Sequence, residues 1–215
     1  MTGNSNQTEE LKFLENDADQ PDQMMNVARE IIAETGDKEW GTKVFQKSIE
    51  MSKDWYDEVG MIRLIAISII QELEDYDWAD NLISNCLSDT DLKDRDKVTC
   101  ANFYSEFPQN NSYITKSNKL YSELLNSSEL DSETFYQQCV IIVNVLNNKE
   151  LAEGYLVRAE KCAQSPWDYA FISEHYIMLS DKENAKRLSG IAISKCEDED
   201  EKSDIQDYIN GIFEC

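Results

Sequence analysis

One polar turn is spelled four times along this chain, and each copy lies between two stretches whose apolar residues recur at helical spacing. The copies read Gly36-Asp37-Lys38-Glu39-Trp40, Glu74-Asp75-Tyr76-Asp77-Trp78, Asn147-Asn148-Lys149-Glu150-Leu151 and Ser180-Asp181-Lys182-Glu183-Asn184. The steps between Asp37, Asp75, Asn148 and Asp181 are 38, 73 and 33 residues, so the middle interval is two repeats long. Pro108-Gln109-Asn110-Asn111 stands where the missing turn belongs. Self-similarity with this period predicts stacked helical hairpins, because one helix pair cannot bury its apolar face alone. The expected fold class is therefore all-α, a solenoid of about five helical hairpins with a C-terminal capping helix.

Local signals place the elements. Residues 1–22 are polar and acidic and end in Gln20-Pro21, which reads as a flexible N-terminal arm. Within it a short helix around Leu11 to Leu14 is the alternative. The repeats then occupy 23–215. Val27, Ala28, Ile31 and Ile32 mark the first helix, Gly36 stops it, and Asp37 is placed to cap the next. The second pair carries Ile62, Ile65, Ala66 and Ile69, then Trp78, Leu82 and Ile83. The pair around Pro108 is the least regular. Ser165-Pro166-Trp167-Asp168 opens the fifth pair with a proline near a helix start, and Ile205, Tyr208, Ile209 and Ile212 give the tail one apolar face.

The second helix of each regular pair holds the most specific pattern. Gly41, Ala79, Ala152 and Ala185 share one repeat position, and Ser48, Cys86, Ala159 and Ala192 share the position seven residues later. Phe45, Ile83 and Leu156 stand between them, with Ser189 as the exception. Small residues seven apart on one face let helices approach, and the large residue fills the groove. The chain resembles the tetratricopeptide repeat class, whose units of about 34 residues carry the same small, large, small pattern. The first helix departs from that class by lacking its Trp-Leu-Gly-Tyr set, and Pro166 is the sole counterpart of its closing proline. The resemblance implies a right-handed superhelix whose concave face grips a peptide or a partner helix.

Chemistry-bearing motifs are sparse. With one histidine, His175, and 7 glycines, the sequence offers no phosphate-cradling loop, nucleophile elbow or metal-spaced His/Cys set, so no enzymatic activity and no cofactor are expected. The run from Asp89 to Asp96 begins like a calcium loop but lacks the turn glycine and the closing glutamate, and it reads as a solvated connector. Glu197 to Glu201 reads as a solvated loop. Six dispersed cysteines without a CxxC pair read as free thiols, and no apolar leader or spanning segment is present, which together predict a cytoplasmic protein.

Charge narrows the partner. Forty-three acidic against twenty basic side chains leave −23, which repels nucleic acid and anionic membrane surfaces and favours a basic protein or peptide. The acids are unevenly placed: between Asp54 and Asp91 ten carboxylates meet only Arg63. Aromatic residues lie among them, and interfaces favour aromatic anchors ringed by charge. The candidate partner-binding residues are therefore Trp55, Tyr56, Asp57, Glu74, Asp75, Tyr76, Asp77 and Asp80. Trp40 and Trp78 hold equivalent repeat positions and read as core, and Trp167 and Tyr169 are weaker candidates. The expected function is a non-enzymatic binding scaffold of the adaptor, chaperone or inhibitor and immunity type. The alternative is an acidic mimic of DNA that occupies the site of a DNA-binding protein.

Overall fold

The computed structural model describes residues 3–53 and 55–214. Of the residues that enter the expectations above, Met1 and Thr2 of the arm, Asp54 in the acidic stretch and Cys215 among the thiols lie outside them. Among the described residues there are twelve α-helices and no strand. They are α1 (Gly3–Asp17), α2 (Pro21–Thr35), α3 (Lys38–Ser52), α4 (Glu58–Leu73), α5 (Tyr76–Leu87) and α6 (Asp94–Ser105). Then follow α7 (Asn111–Leu124), α8 (Ser132–Asn144), α9 (Lys149–Cys162), α10 (Pro166–Met178), α11 (Lys182–Lys195) and α12 (Glu199–Glu214). Within each unit helices pack in adjacent pairs, α2 with α3 and α4 with α5 in one, α8 with α9 and α10 with α11 in the other, and among the described residues no helix is long and apolar enough to cross a membrane. The chain forms two compact units that divide after Phe103.

Each of the four spelled turns has the same backbone. The residue before the Asp or Asn is left-handed in every copy: Gly36 at φ 70°, Glu74 at 58°, Asn147 at 50° and Ser180 at 64°. Gly36 and Glu74 each donate their N–H to the carbonyl four residues back, on Ile32 and Ile70, at 2.9 and 3.0 Å. The next residue then caps the following helix: Asp37, Asp75, Asn148 and Asp181 accept from the backbone N–H three residues on, at 2.9, 2.9, 3.2 and 3.1 Å. A left-handed residue closes one helix while a side-chain acceptor opens the next, so two residues reverse the chain. The turn at Pro108 differs. Asn110 still caps α7, accepting from Ser112 and Tyr113, but among the described residues it has no left-handed neighbour.

In the first unit the small residues have a steric purpose. A methyl group at Gly41 on α3 would stand 2.4 Å from Cγ1 of Ile32 and 3.3 Å from the Ala28 carbonyl, both on α2. Glycine there lets α3 lie against α2 and close Phe45 and Val44 fully into the core. Ser48 also faces inward and donates to the Pro21 carbonyl at 2.6 Å. α4 buries Ile65, Ala66 and Ile69 completely, and α2 and α4 are joined at the surface by Arg29 and Glu72, 3.2 Å apart. Trp78 meets Phe45 edge to face with ring centres 6.5 Å apart.

The stretch expected as a flexible arm contains α1. Its contacts are few but directed: Leu11 is buried, α1 packs beside α2, and Glu15 accepts from the Trp40 indole at 2.8 Å and from Lys47 on α3. Burial resists ionisation of Glu15, yet the hydrogen bonds from Lys47 and Trp40 win and hold its carboxyl below the ordinary range.

The second unit repeats the logic. Ala152, Leu156 and Ala159 on α9, and Ala185 and Ala192 on α11, are fully buried. Tyr155 donates to the Tyr121 carbonyl at 2.8 Å and Ser132 to the Ala159 carbonyl at 3.0 Å, so these buried hydroxyls are matched, whereas Nε of Arg158 is buried without a partner. Ser165 and Asp168 form a reciprocal capping box ahead of Pro166 on α10. α12 packs against α10 and α11 by placing Ile205 and Ile209 on Ala170 and Ala192. It begins earlier than the loop reading of Glu197 to Glu201 expected. Asp198 accepts from the N–H groups of Asp200 and Glu201, at 2.7 and 3.2 Å, and three carboxylates then sit in the first turn, where the helix dipole favours them.

Candidate functional site

The eight candidate residues do not converge. They form two groups at opposite ends of α4, whose 16 residues span about 24 Å at 1.5 Å per residue.

At the N-terminal end, the α3–α4 connector carries Trp55, Tyr56 and Asp57. Trp55 is half-buried and held by its N–H to the Ser52 carbonyl at 3.0 Å, while Tyr56 is 92% exposed. Their rings lean together with centres 5.4 Å apart and planes tilted by 41°. They line a cleft of about 430 Å³ together with Gln20 and Asp22 at the start of α2 and with Met61, Arg63 and Leu64 of α4, so the cleft holds one cation beside its carboxylates. Leu64 is 44% exposed, unusual for a leucine on a helix that otherwise buries its apolar side chains. Asp57 is committed locally: it caps α4 by accepting from Gly60 at 3.1 Å, and any side chain at Gly60 would collide with it at 2.2 Å.

At the C-terminal end, Glu74 and Asp75 are the turn itself. Glu74 supplies the left-handed residue and Asp75 the cap, so their roles are structural whatever else they touch. Tyr76 and Asp80 are half-buried, and Glu74, Asp75 and Asp77 are exposed, Asp77 in the first turn of α5. The sequence pattern that drew attention to this turn was thus partly the signature of a helix reversal.

Three of the described thiols are made unreactive by burial. Burial pushes the Cys86 thiol up to about 11 and those of Cys100 and Cys139 to about 12, which keeps them protonated and inert at neutral pH. Among the described residues no group of His, Cys, Asp and Glu is arranged to hold a metal ion. His175 sits at a ring-centre distance of 5.3 Å from Tyr136, with Nδ1 2.7 Å from the Phe171 carbonyl.

Sequence reasoning missed one aromatic assembly. Trp167 and Tyr169, considered together, face different neighbours: Tyr169 lies under the Lys195 ammonium at 5.3 Å, whereas Trp167 joins Phe171 and Tyr208 at 5.6 and 5.7 Å. The signal was present as Trp167, Phe171 and His175, four residues apart along one face of α10. No protein family, no curated protein and no solved structure matches the chain.

Proposed function

We propose that this chain is a binding scaffold without catalytic activity that engages a basic protein or peptide, its hairpins stacking as a right-handed tetratricopeptide-like solenoid. The observation that carries the partner reading is Tyr56: a phenol ring almost wholly in water, braced by Trp55, at a cleft lined by the carboxylates of Asp22 and Asp57, by Arg63 and by the apolar Met61 and Leu64. A ring exposed to this degree is free to be covered by a partner, and aromatic anchors ringed by charge dominate interface energetics. The exposed Asp77 and the net charge of −23 add long-range attraction for a cationic partner and speed the encounter. The solenoid reading is supported by the burial of Gly41, Ala79, Ala152 and Ala185 at one repeat position and of Phe45, Ile83 and Leu156 between the small residues. Adaptor, chaperone and inhibitor of a cationic toxin are all roles of this kind. Free thiols at the five described cysteines fit a reducing, cytoplasmic setting.

Affinity capture from a native lysate at low and high salt, read by mass spectrometry, tests the reading when run beside Tyr56→Ala and Asp77→Lys. A basic protein should be retained at low salt, lost at high salt, and retained less by both variants. Capture of acidic proteins, or equal capture by Tyr56→Ala, would overturn it. Asp75 is unsuitable as a charge probe because its loss uncaps α5.

A further inference from the structure

The second unit carries a run of half-buried rings at the edge of its α10–α12 core. α12 is fastened by Ile205 and Ile209, both buried against Ala170 and Ala192. Trp167, Phe171 and Tyr208 lie outside that cluster's buried centre and remain half-buried. Phe171 stands 5.5 Å from Tyr208 and 5.7 Å from Tyr136, and Tyr136 stands 5.3 Å from His175, so the rings form one continuous strip across α8, α10 and α12.

Two features say what such a strip would accept. First, other rings of this unit are already covered by the chain's own cations: Tyr104 by Lys116 at 5.2 Å, Phe135 by Arg158 at 5.5 Å and Tyr169 by Lys195 at 5.3 Å. The strip is covered by none of these three. Second, the charged groups that act on it are carboxylates. Burial, then Glu133, Asp168 and Asp131, push the Tyr136 phenol up to about 12, and the Tyr208 hydroxyl donates to Glu174. Half-exposed ring faces edged with carboxylates suit a planar guanidinium, which stacks on an aromatic face and bonds a carboxylate through two N–H groups at once. An ammonium provides only a point charge and no stacking plane.

We propose that the half-buried Trp167, Phe171 and Tyr208, backed by the buried Tyr136 and flanked by His175, form a docking strip for an arginine-bearing segment of the partner. The strip rests on the reading that the partner is basic, and it is a different surface from the cleft at Trp55 and Tyr56.

The four tryptophans make the test direct, since each gives one indole N–H signal, assigned by single Trp→Phe variants. Titrating the full chain with an arginine nonapeptide should shift the Trp167 indole saturably, and a lysine nonapeptide should bind more weakly. Phe171→Leu, which keeps an apolar side chain, should weaken the arginine peptide about threefold to thirtyfold. Glu133→Gln, an exposed change on α8 with no consequence for packing, should weaken it in the same direction. A Trp167 indole unmoved at saturation overturns the strip, as does equal affinity for the two peptides. If the Trp55 indole moves and that of Trp167 does not, the strip falls while the basic-partner reading stands. If none moves with either peptide, both fall.

Discussion

Glu74 is the residue whose replacement by glycine should make the protein more stable. Its φ of 58° places an L-residue in the left-handed region, as does the φ of 70° at Gly36 in the equivalent turn. A side chain in that region costs about 1–2 kcal/mol. Glycine relieves the cost but adds freedom to the unfolded chain, worth about 0.4–1 kcal/mol in the opposite direction. The balance favours glycine by about 0.5–1 kcal/mol, so Glu74→Gly should stabilise by that amount. Gly36→Ala should destabilise equally, because no heavy atom lies within 4 Å of the added methyl to supply a compensating contact. At about 2–4 °C per kcal/mol for a chain of this size, the two variants should bracket the parent melting temperature by a few degrees. Glu74→Gly also removes a charge beside Asp75 and Asp77, so Glu74→Gln is the control: it removes the charge and keeps the strained backbone. Urea unfolding of the three variants, followed by far-UV circular dichroism, is the assay. If Glu74→Gln stabilises as much as Glu74→Gly, relief of charge repulsion and not of backbone strain explains the gain, and the argument from turn geometry is refuted.

Three further outcomes follow from the packing and the titrating groups. Ile205→Ala should cost about 2–5 kcal/mol of local stability and raise hydrogen exchange in α12 at least tenfold while α8 and α9 stay protected; unchanged exchange in α12 would mean that Ile205 and Ile209 do not hold it. The two N–H bonds that Arg187 donates to Glu160, both at 2.7 Å, hold that carboxyl below its ordinary range against the opposing effect of burial. The stabilisation is present above the unfolded carboxylate value of about 4.3 and is lost as pH falls through the depressed folded value. Glu160→Gln should therefore show a smaller loss of stability between neutral pH and about pH 3.5 than the parent, and equal losses would remove the pair from the account of acid sensitivity. Cys100 and Cys139 should resist a thiol reagent at pH 8 until the protein is unfolded in urea, since burial holds both near 12.

The helices were legible because the signals that set them are local. Gly36 and Asp37 announce a stop and a cap, Ser165 and Pro166 announce a start, and the apolar residues of α4 recur at helical spacing. α1 was harder, since Leu11 is its main buried apolar side chain and its attachment through Glu15 depends on Trp40 and Lys47, which are 25 and 32 residues away. The site was legible only in part. Trp55 and Tyr56 were singled out because they sit in a connector, where Tyr56 is exposed, and Glu74 and Asp75 were singled out for charge and also form the turn between α4 and α5. The strip of rings on α8, α10 and α12 was hidden because its members come from three helices, and only Trp167, Phe171 and His175 share one. Clusters assembled across elements leave no spacing to read.

Asn148 offers a way to take this protein's acidity apart from its architecture. It occupies the same place as Asp37, Asp75 and Asp181 and accepts the same backbone hydrogen bond without a charge. The amide oxygen is enough for the cap, and asparagine ranks beside aspartate at that position. Changing the three aspartates to asparagine would strip three negative charges from the tips of the hairpins and leave each helix start intact, apart from a few tenths of a kcal/mol of dipole energy at each. A graded series of such chains, alike in shape and different in field, would show how much of partner capture is attraction at a distance and how much is fit on contact.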